Sequence, residues 1–406
     1  MHRHARPEDF TCRHRGRALR HQPGATLYGC HLHGQCVVGA PREEARSCIN
    51  CADRRAVAPA PRPRENYVLD PPEPRGTCDV LVCTAYNAMP GWLQTRVGLV
   101  LRSLRAKNLA AVGVAFTRSA VVETVAPLLD RLRPRLIINR GFLLPPEVVD
   151  QLNRRFPRTR IVSVNHGSYA DLARLPRWLK QLRGYVELAG ERKNCWYGAV
   201  DERNQAAQLG HRRCIWMPNV VHDPLAGDDP PPEVARKPAR LSLICHPRAM
   251  KNLSGQILAA GMIAGRRSGA ELVVSSPKIA DSGLENLRPL VPQLSWRHLA
   301  WADWETYTAN VRRYVDVGLQ ASFTESFNYV GLEHLLCSKP VAGSPALRYL
   351  PPDWQANPDD PGAIAAVIDA HLDDYPVRAA RARRAGLMTM HLWNNAFDAA
   401  IERLLD

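Results

Sequence analysis

Apolar positions beyond about residue 77 repeat in two alternating patterns, which together predict strands that alternate with helices. Short, mostly apolar runs have the length and β-branched character of buried parallel strands, and they occur at 79–84, 109–116, 136–139 and 160–164. Apolar residues at helical spacing separate these runs, at 92–106, 119–132 and 146–156. Because such an alternation forms a parallel sheet with helices on both faces, this region is predicted to be a Rossmann-like half.

The same alternation returns after a proline-rich stretch and predicts a second Rossmann-like half, so the fold class is α/β. Strands are expected at 241–245, 271–275, 315–319 and 340–342, and helices at 253–264, 304–313 and 329–337. Two proline clusters interrupt the pattern, which is typical of linkers and hinges. The predicted order is a cysteine-rich module at 1–56, a linker at 57–76, the first half at 77–222, a hinge at 223–240, the second half at 241–376 and C-terminal helices at 377–406.

A strand, loop and helix within 315–345 carry the clearest candidate chemistry. The loop after a parallel strand lies at the carboxyl edge of its sheet, and the next helix directs its first N–H groups and positive dipole end there, so an anion is expected. Glu325 and Glu333 flank this region, with seven residues between them. Two carboxylates would oppose a bare phosphate, but they can accept hydrogen bonds from hydroxyls on either side of one. This combination predicts a nucleotide sugar as the ligand.

The segment ESFNYVGLE, followed by CSKPVAGS, resembles the E-x(7)-E segment of retaining glycosyltransferases of family 4 (group 1), which have the GT-B fold. The resemblance implies that Glu325 lies by the donor sugar as a catalytic residue and that Glu333 holds the ribose hydroxyls. The common family form is E-G-F-G, whereas this chain has Ser and Asn in place of the glycines, which narrows the backbone freedom near the phosphates. The peptide groups implied to meet the diphosphate belong to Phe327, Asn328, Tyr329 and Val330.

Two further segments resemble segments of the same family, and a third departs from its family form. HPRAMKN resembles the segment whose cations grip the donor diphosphate, which implies that Arg248 and Lys251 stabilise the negative charge on the leaving group. NHGSY places His166 where the family carries a histidine that faces the reaction centre from the acceptor side. The loop AYNAMPG departs from the glycine-rich family form, because only Gly91 is present there. The C-terminal helices are implied to pack back on the first half.

Cysteines are concentrated near the start of the chain, where little periodic apolar pattern is found. Five of the eleven fall within the first 51 residues, and the remaining six are scattered through apolar runs, where a thiol usually acts as a small core residue. The spacing C-x(5)-C-x(11)-C-x(2)-C can close a tetrahedron around structural zinc. Its ligands would be Cys30, Cys36, Cys48 and Cys51. The motifs C-x-H-R-G, C-x-x-H-G-x-C and C-x-x-C resemble small cysteine-rich leaders ahead of some bacterial glycosyltransferase domains.

Other metal sets remain open at this stage. Cys12, His14, His31 and His33 are alternative ligands, and thiolates of this kind also hold iron–sulfur clusters. The alternative to any metal is a set of reduced cysteines in a disordered arm.

The overall composition limits the classes of function. The chain has 406 residues, of which 45% are hydrophobic and 23% charged, which is ordinary for globular domains. No run reaches the length of a membrane span and no signal peptide begins the chain, so a cytoplasmic location is expected. No two aspartates are separated by one residue, so the D-x-D metal site of the other large glycosyltransferase fold is missing and no catalytic metal is expected.

The leading prediction is a retaining glycosyltransferase that moves a hexose from a nucleoside diphosphate sugar to an acceptor, which could be a glycan, a lipid, a small molecule or a protein. The net charge of +15 also suits nucleic acid. The alternative is therefore a nucleic-acid or partner-binding protein, with a zinc-knuckle arm and an inactive GT-B scaffold.

Overall fold

The structure is a computed structural model, and it divides the chain into two compact units, Met1–Arg62 and Pro63–Asp406. It describes residues 15–22, 25–30, 35–38, 67–71, 74, 76–85, 92–116, 121–141, 143–168, 170, 176–201, 213–225, 235–245, 248–276 and 283–406. None of the helices in these ranges is both long and apolar enough to cross a bilayer.

The first unit contains a three-stranded antiparallel sheet, which the apolar pattern did not predict. Its strands are β1 (Arg15–Gln22), β2 (Ala25–Cys30) and β3 (Gln35–Val38), in the order β1-β2-β3. Two residues of sequence Pro-Gly lie between β1 and β2, and short connections of this kind are the usual signal of a hairpin. That local signal, rather than apolar periodicity, could have identified the strands.

The first half of the second unit is built on a seven-stranded sheet with the order β10-β9-β8-β7-β5-β6-β4. Strands β5 to β10 pair in parallel, and helices connect the successive strands from β5 to β9. The elements are β4 (Tyr67–Asp70), β5 (Val80–Ala85), α1 (Trp92–Ala106), β6 (Ala111–Phe116), α2 (Val122–Leu132), β7 (Leu136–Arg140), α3 (Pro146–Arg155), β8 (Arg160–Asn165), α4 (Pro176–Glu191), β9 (Cys195–Ala199) and β10 (Cys214–Trp216). The elements from β5 to β8 follow the predicted alternation, whereas α4 and β9 were not predicted.

Strand β4 lies inside the stretch that the prolines mark as a linker. It pairs antiparallel with β6, from Tyr67 opposite Phe116 to Asp70 opposite Gly113, and so covers that edge of the sheet. The ring of Tyr67 meets the ring of Phe116 edge-on at 6.2 Å between centroids. Residues 67–69 are apolar and form an edge strand although Pro71 follows directly after Asp70. Proline is tolerated at the end of an edge strand. Residues 67–70 are therefore part of the sheet rather than a spacer.

The second half contains a five-stranded parallel sheet with the order β13-β12-β11-β14-β15. The edge strand β13 was not predicted, because its sequence LSWRH is polar and half exposed. The elements are β11 (Ala239–Ile244), α5 (Leu253–Arg266), β12 (Ala270–Ser275), β13 (Leu294–His298), α6 (Trp304–Tyr314), β14 (Val317–Gln320), α7 (Tyr329–Leu336), β15 (Val341–Gly343), α8 (Pro361–Asp373) and α9 (Tyr375–Leu405).

Helix α9 packs against both halves. Near its end, Phe397 and Ile401 join the core cluster formed by β5, α1 and β7 of the first half. Earlier, Ala382 and Met390 join the cluster around α7 in the second half. Gly386 is the point of closest approach, since a Cβ built there would lie 2.9 Å from the backbone N of Leu336 and 3.0 Å from the backbone C of Leu335. A residue without a side chain is therefore required where α9 crosses α7.

We expect Gly386→Ala to destabilise the fold even though alanine favours helices. The methyl group would press on backbone atoms that cannot rotate away, at a cost of about 1–3 kcal/mol, which exceeds the gain in helix propensity of about 1 kcal/mol. The measurement is the free energy of unfolding in urea. The control is Gly265→Ala in α5, where the nearest atom outside the helix would be 3.6 Å away, and this variant should be neutral or stabilised. Equal effects of the two substitutions would contradict the packing described.

Candidate functional site

The candidate site lies where the connections of the second sheet change direction. From β11 the chain proceeds to β12 and β13 on one side, and then returns to β14 and β15 on the other. In open parallel sheets, such a change of direction leaves a crevice at the carboxyl ends of the two neighbouring strands. The loops after β11 and β14 carry five of the predicted residues at this edge of the sheet: Arg248, Lys251, Glu325, Phe327 and Asn328.

A buried ion pair joins the two loops. Lys251 ends a short 3-10 turn after β11, and its Nζ donates a hydrogen bond to Oε1 of Glu325. Only 11% of the lysine side chain and 7% of the glutamate side chain are exposed. Arg248 precedes the turn and is exposed to solvent. Burial raises the pKa of the Cys245 thiol, which directly follows β11, while the charges of Lys251 and Arg248 lower it, so both cations lie near this thiol.

The same carboxylate oxygen of Glu325 accepts two further hydrogen bonds. Ser322 Oγ donates to it at 2.8 Å and Asn328 Nδ2 at 3.1 Å. Together with Lys251, these donors satisfy this oxygen of a buried carboxylate and fix its position.

Backbone hydrogen bonds hold the two loops together around this pair. The N–H of Phe323 donates to the carbonyl of Met250 at 2.9 Å. The N–H of Ala321 donates to Gln256 Oε1 at 2.9 Å, and Asn252 Nδ2 donates to the carbonyl of Ala321 at 3.1 Å. Because buried backbone groups need partners, the side chains at the start of α5 fix the path of the β14 loop.

Asn328 begins helix α7 and connects the helix to the ion pair. Its Oδ1 accepts from the N–H of Gly331 at 2.9 Å, which caps the helix, and its Nδ2 also donates to Gln320 Oε1 at 2.8 Å. The hydroxyl of Tyr349 donates to the carbonyl of Asn328 at 2.6 Å. A Cβ on Gly331 would lie 2.6 Å from that hydroxyl, so the glycine in YVGLE makes room for the contact.

Ser326 and Phe327 lie next to Glu325 and reach toward the first half. Ser326 Oγ donates to the backbone carbonyl of His166, which follows β8, at 2.7 Å. The Phe327 ring lies 4.2 Å from the ring of Trp393 in α9, and Trp393 in turn meets Trp216 of β10 at 5.7 Å. The loop after β14 is therefore a direct junction between the two halves.

The remaining predicted residues lie along α7. Glu333 is buried and its Oε1 accepts from the indole N–H of Trp304 at 2.9 Å, which places it beside the start of α6. Tyr329 is buried, and its ring meets Phe327 edge-on at 4.6 Å. The carbonyl of Val330 lies 2.7 Å from Nδ1 of His334.

His334 anchors α7 to the sheet. Since a carbonyl can only accept, Nδ1 of His334 carries the proton, and Nε2 accepts from the hydroxyl of Ser242 in β11 at 2.7 Å. Burial lowers the pKa of His334 to about 4, so the ring is neutral at pH 7.

His166 faces the junction from the first half. Its pKa is well below the ordinary value, first because burial disfavours the imidazolium and second because the positive charge of Arg140 lies nearby. Nε2 of His166 is buried and has no hydrogen-bond partner within the described part of the chain. Arg140, at the end of β7, donates to Asn219 Oδ1 at 2.9 Å. A neutral histidine and a cation therefore lie together at the carboxyl edge of the first sheet.

The cysteines divide as predicted for the six in the second unit, which are all buried thiols. Burial raises the pKa of Cys245 to about 11, so this thiol is protonated despite the nearby cations. Of the predicted zinc ligands, Cys48 and Cys51 lie outside the described residues, while Cys30 pairs in register with Gln35 and Cys36 with Gly29. Within the described ranges no group of three or more potential metal ligands occurs. The buried thiols are Cys78, Cys83, Cys195, Cys214, Cys245 and Cys337.

The two halves, their sheets and the crevice together define the GT-B class of fold. Solved structures match across most of the chain. A trehalose-6-phosphate synthase, OtsA, is 14% identical with a TM-score of 0.60, and the match covers 80% of this chain and 98% of that one. The Anabaena protein HepE in complex with UDP-glucose is 14% identical with a TM-score of 0.59, over 80% and 99% of the two chains.

A sucrose-phosphate synthase from Thermosynechococcus elongatus is 15% identical with a TM-score of 0.56, and the match covers 80% of this chain and 96% of that one. At this level of identity the likeness concerns the fold. No protein-family profile matches the chain, and no curated protein sequence does.

Several contacts that organise the site were not identified from the sequence. Asn328 was predicted only through its peptide group, and its role as a helix cap could have been recognised because it directly precedes an apolar helical run. Ser322, Gln256 and Trp304 act through contacts between residues far apart in the chain, and no local pattern marks them. Arg140 could not be identified from the sequence for a different reason, because a basic residue at the end of a strand is common on protein surfaces.

We expect Lys251 and Glu325 to be strongly coupled in stability. Removing one partner leaves a buried charge, so Lys251→Met and Glu325→Gln should each lower the free energy of unfolding by about 3 kcal/mol. The double variant should lose less than the sum, by about 1 kcal/mol or more. Urea unfolding of the four proteins measures this coupling. The control is the pair Arg183–Glu187, whose side chains are 82% and 54% exposed and should couple by less than about 0.5 kcal/mol. Additive effects at Lys251 and Glu325 would contradict a buried pair.

Proposed function

We propose that the protein is a retaining glycosyltransferase that transfers a hexose from a nucleoside diphosphate sugar to an acceptor. The observation that carries this proposal is the pairing of Lys251 with Glu325 at the switch point between β11 and β14, beside Arg248. A cation held by a carboxylate in a crevice has the charge arrangement needed for a diphosphate attached to a sugar, since the cation meets the phosphates and the carboxylate accepts from hydroxyls.

The chemistry follows from where charge develops. When the bond between the anomeric carbon and the diphosphate breaks, negative charge accumulates on the leaving phosphate. Lys251 and Arg248 would stabilise that charge, together with the peptide N–H groups of residues 327–330 at the start of α7, and no catalytic metal is invoked. Glu325 would hold the sugar hydroxyls, and Glu333, oriented by Trp304, would hold the ribose. His166, neutral because it is buried, would face the acceptor.

Structural neighbours support the class of donor. HepE was solved with UDP-glucose and with UDP and glucose, and a trehalose-6-phosphate synthase was studied for glycosyl transfer with retention. We therefore assign donor binding to the half at 241–376 and acceptor binding to the half at 77–222. We also place the reaction in the cytoplasm. Membership of family 4 rests on the resemblance of ESFNYVGLE, in which Ser326 and Asn328 replace glycines.

A structural zinc ion in the cysteine-rich module is a separate proposal. The spacing C-x(5)-C-x(11)-C-x(2)-C supports it. The register of β2 and β3 does not, because Cys30 lies opposite Gln35 and Cys36 opposite Gly29, and successive positions of a strand belong to opposite faces of the sheet. Together with Cys48 and Cys51, these two cysteines would provide four thiolates, and the metal would supply folding free energy to a module too small for a large core.

Binding of UDP tests the proposed donor site. UDP should raise the melting temperature of the wild-type protein, because a ligand that binds only the native state stabilises it. Arg248→Gln should weaken UDP binding about tenfold or more in calorimetry, since a charge-assisted hydrogen bond contributes about 1.5–3 kcal/mol. Arg248 is exposed, so the fold should be unaffected.

The matched control is Arg183→Gln, an exposed arginine paired with Glu187 on α4, which should bind UDP like the wild type. Absence of stabilisation by UDP, ADP and GDP in fully folded protein would contradict the proposed function. Equal losses in the two variants would indicate non-specific attraction by the net positive charge.

The zinc prediction is tested by metal analysis of the full-length protein. About one zinc per chain should be bound, and the double variant Cys48→Ser/Cys51→Ser should lose it, because two of four ligands are removed. Cys214→Ser, which alters a buried thiol of the second unit, should keep the metal. A protein without bound metal, or one with bound iron and visible absorption, would refute the assignment.

A further inference from the structure

We infer that Ser326 is a positioning residue that couples the donor loop after β14 to the loop that carries His166 in the first half. Its hydroxyl donates to the carbonyl of His166 at 2.7 Å, across 160 positions of sequence. Ser326 directly follows Glu325, whose carboxylate forms the buried ion pair with Lys251.

The geometry makes the hydroxyl sensitive to the distance between the halves. Glu325 is fixed to the second half by Lys251, Ser322 and Asn328. Ser326, the next residue, therefore cannot follow the first half if the halves separate. A hydrogen bond weakens steeply beyond about 3.2 Å, so even a small opening breaks it. The bond thus stabilises the arrangement in which the two loops meet.

The loop on the other side is held in an ordered turn. The side chain of Asn165 accepts from the N–H of Gly167 at 2.9 Å, which fixes the backbone around His166. The His166 ring is half buried, with Nε2 buried and without a partner among the described residues. Ser326 donates to the backbone carbonyl of His166 itself. Its hydroxyl therefore fixes the backbone that positions the imidazole relative to Glu325.

The neighbouring contact of Phe327 does not duplicate this function. Phe327 packs on Trp393 of α9, a helix that belongs to the cores of both halves and that can accompany either of them. The hydroxyl of Ser326, in contrast, joins the Glu325 loop directly to the His166 loop. Its effect on transfer rests on the proposed function, whereas its effect on the two loops does not.

Hydrogen exchange measured by mass spectrometry on the full-length protein tests the coupling. Ser326→Ala should raise the exchange rate of peptides covering 163–168 and 322–328 about fivefold, which is the effect of losing one ordinary hydrogen bond. Ser326→Thr keeps the hydroxyl and should restore wild-type exchange. A purely structural defect would instead raise exchange throughout the second half, including β12.

The control is Ser295→Ala, because Ser295 Oγ donates to the carbonyl of Ala270 at 3.0 Å between two strands of one half. This variant should leave 163–168 unchanged. The inference is overturned if Ser326→Ala does not change exchange at 163–168, or changes it no more than Ser295→Ala does.

A second measurement separates this inference from the proposed function. If UDP binds, Ser326→Ala should keep the wild-type affinity for UDP within about twofold while kcat for transfer or hydrolysis of UDP-glucose falls about fivefold, because donor contacts remain and only the placement of His166 is lost. If UDP fails to bind the wild type, the proposed function fails, yet the exchange experiment still decides the coupling. A large loss of UDP affinity in Ser326→Ala would show that the residue serves donor binding instead.

Discussion

The buried ion pair between Lys251 and Glu325 is the interaction on which the rest of the site depends. Two charges can be held away from water only if each has a partner and the remaining polar atoms are satisfied. Ser322 and Asn328 meet that requirement on the carboxylate oxygen that Lys251 also contacts. Their positions in turn require that the loops after β11 and β14 run side by side, which the parallel pairing of those strands provides.

The packing of helix α7 against the sheet and against α9 holds this arrangement in place. Helix α7 is fixed on one face by His334 and Ser242, and on another by the close approach of α9 at Gly386. These contacts hold α7 in place against the sheet and against α9. Because α9 also contributes Phe397 and Ile401 to the core of the first half, the same helix connects the site to that half.

The sequence was sufficient for features that local patterns encode. The alternation of strands and helices, the ends of α1 and the strand-loop-helix around Glu325 all follow from the spacing of apolar residues. Features that arise from contacts between distant residues could not be obtained this way. The pairing of β4 with β6 depends on an open sheet edge, and the bond from Ser326 to His166 joins residues whose proximity only the tertiary fold creates.

Ser326 and Asn328 stand where the E-G-F-G form has glycine, and these two residues change how the crevice can bind an anion. A glycine at either position would leave the start of α7 flexible, with its first N–H groups available to a phosphate. Asn328 instead occupies the N–H of Gly331 with its own Oδ1 and ties Glu325 in place with its Nδ2. The helix end thus offers fewer donors than a glycine-rich loop. Under the proposed function, more of the charge on a diphosphate would then be met by Lys251 and Arg248.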